Sequence, residues 1–142
     1  MKKKSILLLA ILLIVMFLTG CSESMITPAT DEVKIKGAIQ DYFMAINDQN
    51  WSKAKNCCVN GSDMYYFTCT LQDAVQTLYQ YASIVTITCM AKVSNISIEG
   101  SYGSAYLSGA IIMTADNYSE SENISKTCYL QKVGNSWKIY TI

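Results

Sequence analysis

Six cysteines and not one histidine bound the chemistry open to this 142-residue sequence. A thiol nucleophile needs a base to activate it, and the usual base, imidazole, is missing altogether. The same absence removes the residue most used for general acid–base work. Cys57, Cys58, Cys69, Cys89 and Cys128 contain no CxxC pair and have no histidine to complete a zinc ligand set, so no metal and no cofactor is expected. Their odd number prevents complete internal pairing. Adjacent Cys57 and Cys58 are also badly placed to bridge each other. The pattern reads as small buried hydrophobes, with a single bridge from Cys58 or Cys57 to Cys69 as the alternative.

Cys21 stands apart, because it closes a segment with its own logic. Lys2, Lys3 and Lys4 form a positive start, residues 6–18 are an apolar run of about 13 residues, and Leu18-Thr19-Gly20-Cys21 places small residues before the cysteine. That is the anatomy of a cleaved secretory signal. The run is also shorter than the ~20 apolar residues that a membrane-spanning helix requires. Leu18-Thr19-Gly20-Cys21 resembles the lipobox of bacterial lipoproteins, which implies a diacylglyceryl group on the Cys21 sulfur and cleavage just ahead of it. The membrane would then be a partner through lipid, and the location would be the outer side of the cell membrane. Residues 1–20 are accordingly expected to be removed. Residues 21–30, polar and holding the only proline, read as lipidated cysteine plus tether. Residues 31–142 are left for one domain of common size.

The formal charges balance over the whole chain, and every cation is a lysine. Losing Lys2, Lys3 and Lys4 with the signal leaves the domain mildly acidic. An acidic surface without arginine forks suits neither phosphate groups nor nucleic acid, and no nucleic-acid partner is expected.

The elements that must position any site follow from periodicity. Ile35, Ile39, Tyr42, Phe43 and Ile46 recur at helical steps and predict a helix over 32–47, capped by Thr30 or Asp31. Asn50 is placed to cap a short second helix whose inward face is Trp51, Ala54 and Cys57 or Cys58, ended by turn residues at 59–63. Residues 64–68 read as a short aromatic strand. Thr70-Leu71-Gln72-Asp73 then reads as the start of a third helix that ends near Tyr81. Beyond it the pattern turns to period two. Val85, Ile87, Cys89, Ala91 and Val93 share a face, while Ile96 and Ile98 change phase, which predicts a bulge near Ser94-Asn95. A second strand carries Ala105, Leu107, Gly109, Ile111 and Met113, the polar stretch 116–123 reads as a connection, and a third strand covers 124–133. Gly134-Asn135 turns into a closing strand. Three helices followed by an antiparallel meander make an α+β domain, with the helices on one face of a curved sheet.

Tyr42-Phe43-Met44-Ala45-Ile46-Asn47 with Trp51, followed by Gly134-Asn135-Ser136-Trp137-Lys138-Ile139 at the end, resembles the nuclear transport factor 2-like superfamily. That superfamily includes SnoaL-like cyclases and ketosteroid isomerase. The resemblance implies a cone-shaped fold, its sheet curled round the first helix and a pocket at the open end. It further implies that Tyr42 stands where ketosteroid isomerase holds its oxyanion donor, and Tyr79 where a supporting tyrosine lies. The family's catalytic base should fall near Tyr66, where the nearest carboxylate is Asp63, and its second acid near Tyr129. Tyr42 and Asp63 are therefore the weak catalytic candidates. Tyr42, Trp51, Tyr65, Tyr66, Tyr79 and Tyr129 are the candidate pocket. With the acid–base set incomplete, the expected function is a non-catalytic binding module for an envelope protein, a second copy of the chain, or a small apolar or aromatic ligand. The alternative is a SnoaL-like isomerase, cyclase or hydrolase working through Tyr42 and Asp63.

Overall fold

A computed structural model describes residues 29–142. The signal, Cys21 and most of the tether lie outside the described residues. Helix α1 (Asp31–Asn47) starts where the Thr30 hydroxyl accepts the Val33 N–H at 3.4 Å, and it buries Ile35, Ile39, Tyr42, Phe43 and Ile46 along one stripe. Helix α2 (Trp51–Asn56) is capped by the Asn50 side chain, which accepts the Lys53 N–H, and buries Ala54.

Helix α3 (Asp63–Leu78) corrects the reading of residues 64–68 as a strand. Its cap is Ser62, whose hydroxyl accepts the Tyr65 N–H at 3.3 Å, and Asp63 sits at the positive end of the helix dipole. Met64, Thr68 and Val75 are buried at helical spacing, with Leu71 half-buried between them. The short aromatic run had masked that period. Thr70, expected near the start, is mid-helix, and its hydroxyl donates back to the Tyr66 carbonyl.

Four strands follow: β1 (Val85–Glu99), β2 (Tyr102–Ala115), β3 (Tyr118–Val133) and β4 (Ser136–Thr141), antiparallel and paired in chain order. The β1–β2 register slips between Ser94 and Ser97, with Asn95 at φ +50°, where the phase change predicted a bulge. The expected connection 116–123 is a correction: only Asp116 and Asn117 turn, and β3 begins at Tyr118. Ser and Glu alternate there, so both faces are polar and the period of two carries no hydropathy signal. The turn itself is fixed by the Asp116 carboxylate, which accepts the N–H groups of Ser83 and Ile84.

Three polar ties hold α1 in place against the sheet and α3. At its start the Asp31 carboxylate accepts from Lys132 at 2.9 Å and from the Trp137 indole at 3.1 Å, with Lys132 also lying over the indole ring. Gly103 leaves room for this, since a Cβ there would come within 2.7 Å of Ile35 and 3.2 Å of Trp137. Midway, Tyr42 bonds to Thr68 of α3 at 3.1 Å. At the end, the Asn47 amide pairs with both backbone groups of Cys89, accepting its N–H at 2.6 Å and donating to its carbonyl at 3.3 Å. Asn47 thereby covers part of the β1 edge, and Gln49 adds a bond to the Val85 carbonyl.

All five described cysteines are free thiols, so the bridge considered between Cys58 and Cys69 is not formed. Cys58 is buried with its sulfur 3.8 Å from the Thr68 hydroxyl. One residue on, Cys69 is turned about 100° round the helix and away. Burial raises the Cys58 and Cys89 thiols to about 11 and Cys128 to about 12, so all three stay protonated at neutral pH.

Two stability measurements test these ties. The bonds from Lys132 and Trp137 hold the Asp31 carboxyl below its ordinary 3.8, so its ionised form stabilises the fold above that value, and this contribution is lost as pH falls through the depressed value. Asp31→Asn should therefore lower the melting temperature at pH 7, with the gap to wild type closing below pH ~4; a gap unchanged down to pH ~2 would contradict the charge argument. Asn47→Ala should cost about 1–3 kcal/mol in urea denaturation, because two backbone groups of Cys89 lose their partner.

Candidate functional site

A cavity of about 970 Å³ opens between the C-terminal half of α1, the N-terminal half of α3 and the inner face of β1, β2 and β3. Phe43, Ile46, Leu71, Ile87, Ile111 and Met113 make its floor and walls, and Cys89 adds a protonated thiol. Its mouth is polar. Asp63, Glu120, Glu122 and Lys126 stand there, together with the exposed ring of Phe67 and the last residues, Thr141 and Ile142.

The β3 residues reach the mouth by strand parity. Leu130, Cys128 and Ile124 are buried on the inner face, and the same alternation carries Lys126, Glu122 and Glu120 onto that face, opposite Leu107, Ile111 and Met113 of β2. Sequence reasoning missed Glu120 and Glu122 because it began the strand at Ile124, and it placed Lys126 in that strand without assigning it to a pocket. The signal was present: the even-numbered face of 124–130 extends back without interruption.

Of the residues proposed from sequence, Tyr42 and Asp63 border the cavity and the others do not. Tyr42 is buried, and its hydroxyl turns away from catalytic use. Thr68 commits its own proton to the Met64 carbonyl at 2.8 Å, so Tyr42 must be the donor in the Tyr42–Thr68 bond. Burial also drives the phenol well above its ordinary pKa of 10. Asp63, Glu120 and Glu122 are all exposed. Enolisation requires a positioned base and a free oxyanion donor acting on one substrate. Here the phenol's single proton is already spent, and the carboxylates sit at the rim.

The remaining pocket candidates are corrected by their positions. Trp51 packs half-buried against the core from α2. Tyr65 and Tyr66 meet edge to face, 5.9 Å apart, with Tyr66 exposed. Tyr79 is the C-cap of α3 and bonds through its hydroxyl to Gln49 and the Val85 carbonyl, bracing the start of β1. Tyr129 lies between buried Cys128 and Leu130, so parity places it on the outer sheet face beside a hollow shared with Tyr102 and Tyr140. Among the described residues no three acidic or thiol side chains converge in a metal-binding group, and no helix is long and apolar enough to cross a membrane.

No family model matches the sequence, and no curated protein matches it either. Solved structures do match in shape. A conserved protein from Planctomyces limnophilus superposes with a TM-score of 0.59 at 11% identity, covering 78% of this chain and 91% of that one. A protein from Novosphingobium aromaticivorans, described as ntf2-like with a cystatin-like fold, gives 0.57 at 9% identity over 78% and 77%. A function-unknown protein from Mycobacterium tuberculosis gives 0.57 at 13% identity over 78% and 68%. At these identities the likeness is one of fold. Three helices on a four-stranded antiparallel sheet, matched in this way, give the chain a nuclear transport factor 2-like fold.

Proposed function

We propose that this chain is a lipid-anchored, extracytoplasmic binding module whose cavity takes a small apolar or aromatic ligand without transforming it. The carrying observation is the cavity itself: about 970 Å³, apolar at the floor and polar at the rim. That is the combination expected of a small-molecule site, in which apolar walls supply affinity and a few polar groups set orientation. The committed Tyr42 hydroxyl and the exposed carboxylates weigh against acid–base chemistry on whatever binds. The anchor rests on the run from Lys2 to Cys21, and the tether on residues 22–30.

The neutral fluorophore N-phenyl-1-naphthylamine provides a direct test of the cavity. Its emission should rise saturably with one site per chain, and Ile111→Trp, which fills the cavity, should weaken binding at least about tenfold with an unchanged circular dichroism spectrum. Absence of saturable binding, or equal binding by Ile111→Trp, would argue against a ligand in this cavity. Anchoring is tested separately by Cys21→Ser, which should stall processing or release the chain from the membrane fraction. An unaltered membrane-bound product would sink the lipid reading.

A further inference from the structure

Strand β3 is 16 residues long, yet β4 pairs only with its last stretch, from Tyr129 to Val133. Residues 118–128 therefore keep one open side. The Lys132 N–H donates to the Ser101 carbonyl on the β2 side, so the even-numbered residues of β3 point their backbone groups toward β2. By alternation, Ser119, Ser121, Asn123, Ser125 and Thr127 point theirs outward. Among the described residues no hydrogen bond reaches those outward backbone groups. Natural edges are usually short or covered, and this one is neither.

The side chains along it are arranged as a palindrome of chemistry about Asn123. If a second copy pairs antiparallel across a two-fold axis at Asn123, Glu120 falls opposite Lys126 of the other copy, and Lys126 opposite Glu120. Ser121 faces Ser125, Ser119 faces Thr127, and Glu122 faces Ile124. The odd-numbered pairs are the ones whose backbones face outward, so each exchanges two N–H···O bonds. The ion pairs fall at the closer, non-hydrogen-bonded positions, where Cα atoms approach to about 4.5 Å. No like charges fall directly opposite one another in this register, and the two Glu122 side chains are diagonal neighbours across the axis. The helices pack over β1 and β4, which leaves the inner side of this edge open to a neighbour.

We propose that this edge joins two copies of the chain through an isologous β3–β3 pairing, giving one continuous eight-stranded sheet. The pairing is closed, since both copies use the same edge and neither keeps that edge free to propagate a fibre. It also places the partner strand at the cavity mouth, because Ser121 and Asn123 of this edge line the cavity. Glu120, Glu122 and Lys126 line the mouth, so each copy sets its neighbour's Lys126 and Glu120 beside its own. The proposal stands independently of any ligand in the cavity.

The test is made on the full chain in mild detergent. Sedimentation velocity at about 100 μM should show a dimer. Lys126→Glu and Glu120→Lys each place like charges opposite one another twice over, and each should weaken dimerisation at least about tenfold. The double exchange Glu120→Lys with Lys126→Glu restores both pairs and should recover the wild-type affinity to within roughly threefold. Asn123→Cys, opposite itself on the axis, should yield a covalent dimer on mild oxidation, above the level given by Asn60→Cys in the distant α2–α3 turn. A monomeric wild-type chain overturns the proposal and leaves the edge to a strand from a different protein. A double exchange as weak as the single variants, or Asn123→Cys crosslinking no better than Asn60→Cys, overturns it too.

Discussion

The organising constraint is a mismatch of lengths. A 17-residue helix advances about 26 Å, whereas a 16-residue strand runs roughly 53 Å, so α1 can cover only about half of the sheet that curls round it. Where helix and sheet coincide the interior is closed: Ile35 and Ile39 pack with Leu107, Leu130, Trp137 and Ile139 in one core. Along the C-terminal half of α1 and beyond it, the inner face passes from core to cavity, and its residues change from Leu130 and Cys128 to Lys126, Glu122 and Glu120. A second mismatch, between strands, leaves the β3 edge open. A six-residue β4 cannot cover a strand of 16.

Much of this was legible because burial leaves a period behind. The stripe of α1, the odd-numbered face of β1, the bulge before Ile96 and the Gly134-Asn135 turn all follow from spacing, because each side chain there has a buried face to satisfy. The failures share one cause: burial was too weak to write a pattern. In 64–68 only Met64 and Thr68 are buried, and the exposed rings of Tyr66 and Phe67 supplied a false strand signal. In 118–123 both faces are polar because the inner one meets a cavity mouth in place of a core. The same stretch therefore escaped detection as a strand and holds the charged part of the site.

The polar residues that drew attention in the sequence turn out to be bound within the fold. Tyr42 serves Thr68, Tyr79 braces Val85, Asn47 stands in for a neighbouring strand beside Cys89, and Asp31 gathers Lys132 and Trp137. Tyr42 and Tyr79 were named for a catalytic resemblance, Asn47 for a packing motif and Asp31 as a helix cap, and each spends its hydrogen-bonding capacity on holding one element of the fold against another. Among the described residues no buried side-chain polar atom lacks a partner. A site that must react with a ligand needs capacity in reserve. Here the reserve lies at the cavity mouth and along the open edge of β3.

Position then ties the open end of the cone to the proposed anchor. Asp31, where the tether would enter, lies beside Lys132 and Trp137 at the closed end of the core. Glu120, at the cavity mouth, is 12 residues away along β3, about 40 Å of strand. The ten residues from Cys21 to Thr30 reach at most roughly 35 Å when extended. Under the proposed anchor, the tether would enter the domain at its closed end, with the cavity mouth at the far end of β3. A ligand in the cavity would then arrive from the aqueous side, and a lipid sliding directly out of the membrane would meet the wrong end of the cone. Under the proposed ligand-binding reading, the three carboxylates and one lysine at the entrance would favour neutral or cationic apolar molecules over anions.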